Sequence, residues 1–237
     1  MKTVGIIGGI GPESTIAYYR LIISSYRERK RDGNYPQIVI NSINMKRMLD
    51  LIGASRLKEV VAYLGDEMKR LADAGVDFGL MASNTPHIVF DDIQAMSPIP
   101  LISIIEVTCK KAERLGLQRV GLFGTRFTME GQFYEEVFSA RSISVVVPKP
   151  DDRDYIHEKY MGELVKGIIL DETKSRLLAI VRSLKKQEGI DGLVLGGTEL
   201  PLILSEADDR DIPFLDTTVI HVESVVDQLV QDTYRVW

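Results

Sequence analysis

The sequence predicts an α/β protein of two pseudo-symmetric subdomains, each a parallel sheet flanked by helices, and three observations carry that prediction. Short apolar runs at 3–7, 76–81 and 192–195 alternate with long amphipathic stretches, the pattern of strands buried on both faces between helices. Two signatures, Leu80-Met81-Ala82-Ser83-Asn84-Thr85-Pro86-His87 and Leu195-Gly196-Gly197-Thr198-Glu199-Leu200-Pro201, each follow an apolar run and precede a segment that reads as helix. Ser83 and Gly197 lie 114 residues apart, and Val120-Gly121-Leu122-Phe123-Gly124 answers Val4-Gly5-Ile6-Ile7-Gly8 at an offset of 116. Two pairs at nearly one offset argue for duplication. The expected divisions are 1–103 for the first subdomain, with a C-terminal helix over 217–237 packing back on it, and 104–213 for the second.

The elements follow in order. Residues 3–7 form a strand, and Gly8-Gly9-Ile10-Gly11 turns into a helix at Pro12, which suits a first helical turn. That helix runs to about Arg29 and stops near Asp32-Gly33-Asn34. A strand over 37–42 leads into Asn44-Met45-Lys46-Arg47-Met48, and Ser55 is expected to cap a long helix ending at Ala74-Gly75. A strand over 78–82 delivers the first signature, and a helix carrying His87 follows. Beyond Pro98 and Pro100 come a strand at 101–104 and a helix over 106–115. In the second half, a strand over 120–124 leads to Thr125-Arg126-Phe127-Thr128-Met129, read as a loop. A strand over 144–147, helices over 151–167 and 171–189, a strand over 192–195, a short strand over 214–216 and a helix over 217–236 complete the chain.

The composition excludes several classes. The 237 residues are 45% hydrophobic and 27% charged, with a formal net charge of -5. The one dense basic run, Arg27 to Arg31, falls at a helix end, where cations complement the dipole, so no nucleic-acid partner is expected. No stretch approaches the eighteen or so apolar residues of a membrane span, and the run over 3–7 is too short for a signal-peptide core. The single cysteine, Cys109, points to a reducing compartment and lies mid-helix, where a structural role is expected. A cytoplasmic protein is the expectation.

Gly8-Gly9-Ile10-Gly11 is not a dinucleotide fingerprint, because a Gly-x-Gly-x-x-Gly begun at Gly9 meets Ser14 at its last position. Nor does a Gly-Lys-Ser/Thr follow to make a phosphate loop. The residues read instead as a tight turn with close backbone approach, and Gly9 is counted with the binding residues. Ser83, Asn84 and Thr85 are residue types that cap helices, and also types that donate to a carboxylate. Paired with Thr198 and Glu199 at the pseudo-symmetric position, they favour a ligand cleft walled by two helix N-termini. His87 reads equally as an acid/base or as a buried hydrogen-bonded residue. Glu199 reads as a general base or as an acid favoured by a helix dipole. Composition alone makes Lys166 and the Lys46-Arg47 pair solvated charges.

Five stretches together resemble the cofactor-independent aspartate/glutamate racemase family: Gly8-Gly9-Ile10-Gly11-Pro12-Glu13-Ser14-Thr15, Ser83-Asn84-Thr85-Pro86-His87, Gly124-Thr125-Arg126-Phe127-Thr128-Met129, Glu163-Leu164-Val165-Lys166-Gly167 and Gly196-Gly197-Thr198-Glu199-Leu200-Pro201. The resemblance implies no cofactor, a homodimer, and an active site between two subdomains that takes an acidic amino acid or related dicarboxylate. Asn84, Thr85 and Thr198 match positions that hold the α-carboxylate, Lys166 a ligand of the side-chain carboxylate, and the region of Arg47 a further cation. The family's chemistry uses two cysteines, one on each face of the substrate's α-carbon. Ser83 stands at the first of these positions and Gly197 at the second. The resemblance therefore implies an isomerase with altered acid/base groups, for which Ser83, His87 and Glu199 are the candidates. The alternatives are a one-base lyase or decarboxylase and a non-catalytic carboxylate-binding protein. The missing side chain at Gly197 is expected to enlarge the pocket.

Overall fold

The computed structural model describes residues 2–231. They divide into two compact units, 2–104 with 221–231, and 105–220. In unit 1, β1 (Thr3–Gly8) is buried along nearly its whole length and leads to α1 (Pro12–Lys30), with Pro12 at the first helical position. Next come β2 (Gln37–Ser42), α2 (Met45–Gly53), α3 (Leu57–Asp73), β3 (Phe78–Met81) and α4 (Phe90–Met96). Unit 2 holds α5 (Ile104–Arg114) from its second residue, β4 (Arg119–Gly124), α6 (Arg126–Glu130), α7 (Phe133–Ser139), β5 (Ser144–Val146) and α8 (Pro150–Gly162). It continues with α9 (Asp171–Glu188), β6 (Gly192–Gly196) and β7 (Phe214–Asp216). The unit boundary then falls inside α10 (Thr217–Val230).

Both sheets are parallel and share one plan. Unit 1 is ordered β2-β1-β3, with Leu101 bridged beside β3 at Gly79, and unit 2 is ordered β5-β4-β6-β7. Val4 faces Phe78 as Val120 faces Gly192, and Ile6 faces Leu80 as Leu122 faces Val194. The 116- and 114-residue offsets seen in the sequence are thus a shared strand register. A one-residue slip would have turned every side chain of one copy to the wrong face.

Several expected elements take a different form. Ser55 caps nothing: it sits at φ 55 in the turn between α2 and α3, whereas a capping residue is extended. The cap belongs to Asn44, whose side chain accepts from the Arg47 N–H at 3.1 Å and starts the separate helix α2. The strand at 101–104 shrinks to one bridge, in which Gly79 donates to Pro100 O and accepts from Ile102 N–H. Pro98 and Pro100 have no N–H for a longer ladder, and α5 begins at Ile104. The expected loop at 125–129 is the helix α6, whose Thr125 cap accepts from Thr128 N–H. The helix α7 was not foreseen, and it buries Phe133, Tyr134 and Phe138. The helix over 151–167 ends at Gly162, then a 3-10 turn, Leu164–Lys166, closes on Gly167 at φ 71. The end of the helix expected over 217–236 lies outside the described residues.

The core of unit 1 joins Val4, Ile6, Tyr18, Ile22, Phe78 and Leu80 to Val222, Val225, Val226 and Leu229 of α10. A polar pin crosses it. The His221 Nε2 lies 2.9 Å from the Ile102 carbonyl and must donate, so Nδ1 accepts from the Tyr18 hydroxyl at 2.8 Å. The core of unit 2 packs Ile156, Tyr160 and Leu164 against Leu177, Ile180, Leu195 and Leu200.

Candidate active site

The parallel pairing of unit 1 sets three loops in a row at the carboxyl end of its sheet, the edge at which α/β sheets bind ligands. Gly9 follows β1, the segment ending at Arg47 follows β2, and Ser83 follows β3. Cross-links fix the row. Ala82 N–H donates to Ile7 O, Ile43 N–H to Gly8 O, and the Ser14 hydroxyl to Ala82 O at 2.8 Å. Gly9 adopts φ +78, its N–H donates to the Thr15 hydroxyl, and a Cβ there would meet the Ile43 carbonyl oxygen at 2.5 Å. That position therefore demands glycine.

Ser83 is 8% exposed, and Asn84, Thr85 and His87 are buried with it. The chain here forms a 3-10 turn, Thr85–Val89, before α4, and Asn84 makes no capping bond from its side chain. The capping reading therefore does not hold for Asn84. His87 is 3% exposed and stacks on Phe90, with ring centroids 5.0 Å apart. Its Nε2 accepts from Ile104 N–H at 3.3 Å, satisfying a first-turn donor of α5, while Nδ1 makes no well-aligned hydrogen bond among the described residues and has the Ser83 and Asn84 backbone as its polar neighbours. Burial pushes its pKa down to about 3. At neutral pH the ring is uncharged, with its proton on Nδ1, and this environment matches the buried reading of His87.

Arg47 and Lys46 are exposed on α2. Lys46 pairs with Asp50, whereas the Arg47 guanidinium lies 4.3 Å from the centroid of the Tyr63 ring. Tyr63 also accepts from Asn44 N–H, so one ring braces both the cap and the cation. Asn44, Lys46, Arg47, Asp50, Leu51 and Arg56 line a hollow of about 290 Å³.

Unit 2 sets Thr125 after β4 and Gly197-Thr198-Glu199 after β6, beside the paired strand ends Gly124 and Gly196. Ser83 and Gly197 each stand two residues or one residue past their strands, at equivalent points of the shared register. No long helix follows Gly197: a three-residue 3-10 turn, Leu200–Leu202, does. The expected second helix N-terminus is absent, so dipole stabilisation of Glu199 has no helix to supply it. Pro201 lies inside that turn, which ends after three residues.

Glu199 is 3% exposed, and its Oε2 accepts from both the Tyr160 hydroxyl and, at 2.8 Å, the Thr198 hydroxyl. Tyr160 comes from α8, and burial together with the neighbouring Glu199 carboxylate pushes its phenol well above the usual range. The expected enlargement at Gly197 is not found. A Cβ there would meet Tyr160 Cε2 at 2.5 Å, so the ring already fills the space. Sequence reading missed Tyr160. Its spacing from Ile156 and Leu164 marks only a core-facing stripe, and nothing in the sequence pairs that stripe with a glycine 37 residues on. Lys166 is exposed in the 3-10 turn after α8. Cys109 is fully buried, with Sγ 3.6 Å from the Val137 carbonyl, and burial pushes its thiol up to about 11.

These features define an α/β protein of two like parallel-sheet units, which gather hydroxyl and amide groups in unit 1 and hydroxyl and carboxylate groups in unit 2 at the carboxyl edges of their strands. The Asp/Glu/Hydantoin racemase family model matches residues 7–225, and the chain belongs to that family. It is similar to the broad specificity amino-acid racemase RacX of Bacillus subtilis, at 24% identity over 229 residues, covering 94% of this chain and 96% of RacX. Among solved structures it resembles an aspartate racemase homologue from Pyrococcus horikoshii OT3, with TM-score 0.85, 32% identity, and 98% and 100% of the two chains covered. A candidate Asp/Glu racemase from Yersinia pestis aligns with TM-score 0.89 and 30% identity, over 98% of this chain and 100% of the other.

Proposed function

We propose that the protein binds an acidic amino acid or related dicarboxylate and acts at its α-carbon as a racemase-family isomerase, with Ser83 and Gly197 in place of the family's two thiols. The observation that carries this reading is the shared register that puts Ser83 and Gly197 at matching strand ends. In this reading Asn84, Thr85 and Thr198 hold the α-carboxylate, Lys166 and Arg47 supply cations, and Gly9 lets the backbone approach. For this the Thr198 hydroxyl turns to the ligand from the Glu199 carboxylate, to which it donates in the structure. Cys109 takes no part, because its fully buried thiol is out of reach of a ligand and is kept from forming a thiolate at neutral pH. A serine hydroxyl needs a neighbouring base to accept a proton, whereas a carboxylate accepts one directly. Glu199 is the group suited to that work, and the neutral, enclosed His87 is assigned to positioning.

A second reading is one-base chemistry, such as decarboxylation or exchange with retention. The filled space at Gly197 favours it, because position 197 then offers no acid or base of its own and the Ser83 hydroxyl is a poor base unaided. Proton NMR of L- and D-aspartate and glutamate in heavy water, with chiral analysis of the product, separates the two. Loss of the α-proton with inversion supports racemisation, and loss with retained handedness supports one-base chemistry. Binding without exchange overturns isomerisation for these substrates. Thr85→Ala and Thr198→Ala are each expected to weaken ligand binding about tenfold or more, the loss of a hydrogen bond to a charged group. Unchanged affinity in calorimetry would remove both residues from the site.

A further inference from the structure

We propose that Tyr160 is a positioning residue that stands in for the side chain Gly197 lacks: its ring occupies that space and its hydroxyl fixes the Glu199 carboxylate. A Cβ at 197 would lie 2.5 Å from Tyr160 Cε2, 3.0 Å from Cζ and 3.1 Å from the hydroxyl oxygen. Real Cβ contacts do not come as close as 2.5 Å, so the ring as placed and any side chain at 197 exclude one another. The ring has little room to yield. Tyr160 is 6% exposed and belongs to a core cluster with Ile156, Leu164, Leu195 and Leu200.

The hydroxyl end is equally committed. Tyr160 and Thr198 both donate to Oε2 of Glu199, and that shared oxygen fixes the plane of the carboxylate, leaving Oε1 outside both bonds. Tyr160, Gly197 and Glu199 therefore form one unit: the glycine admits the ring, and the ring orients the acid. A thiol cannot be restored at 197 by changing that residue alone. The role of Glu199 toward substrate rests on the isomerase reading above, while the exclusion between Tyr160 and position 197 does not.

A double-mutant cycle tests the exclusion. Gly197→Cys is expected to lower the melting temperature by about 5 °C, from overpacking of a closed site. In a Tyr160→Leu background, which lacks the clashing ring atoms, the same change is expected to cost little, and the introduced thiol reacts with Ellman's reagent. In a Tyr160→Phe background the penalty persists, because Phe keeps Cε2 and Cζ. Equal penalties in the Leu and Phe backgrounds, or none in the parent, overturn the exclusion. The orienting role is read by the split between kcat and KM for α-proton exchange. Tyr160→Phe removes one donor from Oε2, so kcat is expected to fall about tenfold with KM nearly unchanged. An unchanged kcat overturns that role. A parent protein without exchange refutes the isomerase reading, and the stability cycle still decides whether the ring replaces the side chain.

Discussion

Burial separates the three histidines. His87 and His221 are enclosed, with pKa values pushed by burial to about 3 and about 4, while half-buried His157 is lowered mainly by burial. In the unfolded chain each titrates at about 6.5. As the pH drops below that value the unfolded chain takes up protons that the folded chain refuses, so stability falls toward pH 4 and further toward pH 3. The urea midpoint is therefore expected to be lower at pH 4.5 than at pH 7. The imidazole proton resonances of His87 and His221 should not shift between pH 8 and 6; a full titration of either near 6.5 would refute the enclosure. The sequence displayed the polar residues of both signatures, because strand-end loops need small hydroxyl and amide types. It left His87 open between two roles, since burial is decided by Phe90 and Ile104 folding over it. Tyr160 stayed hidden because its meaning depends on a glycine distant in the chain.

Individual elements were read well where an apolar run had two buried faces, as in β1, β3, β4 and β6, and poorly where a short helix hung on one cap. Asn44 and Thr125 each start such a helix, and neither α2 nor α6 is long enough for its period to stand out. Ser55 has the residue type of a cap but sits in left-handed backbone, which local sequence does not reveal. Asn44→Ala is expected to cost about 1 kcal/mol of stability, the usual worth of an N-cap. Ser55→Gly is expected to be neutral or stabilising by up to about 1 kcal/mol, because glycine adopts left-handed backbone without a Cβ penalty. Urea denaturation of the two variants checks both, and a loss at Ser55 equal to that at Asn44 would restore it as a cap.

At the scale of the whole molecule, duplication was visible because the same β-turn-α pattern recurs at nearly constant offset, and the shared register gives that offset its meaning. The return of α10 to unit 1 rests on four apolar residues in its core, Val222, Val225, Val226 and Leu229. Burying each is worth about 1.5–3 kcal/mol, so together they rival the whole 5–15 kcal/mol margin of a typical domain. Truncation after Asp216 is therefore expected to abolish cooperative unfolding of unit 1, seen as rapid proteolysis within 2–104; a resistant unit 1 would show that α10 is dispensable. The same helix also orders events on the ribosome. The strands β1 to β3 are made early, but their core lacks Val222, Val225, Val226 and Leu229 until α10 is made. Unit 1 therefore cannot close on its own segment 2–104 as it is made, and its apolar core stays open for longer than the usual N-terminal-first order of folding would leave it.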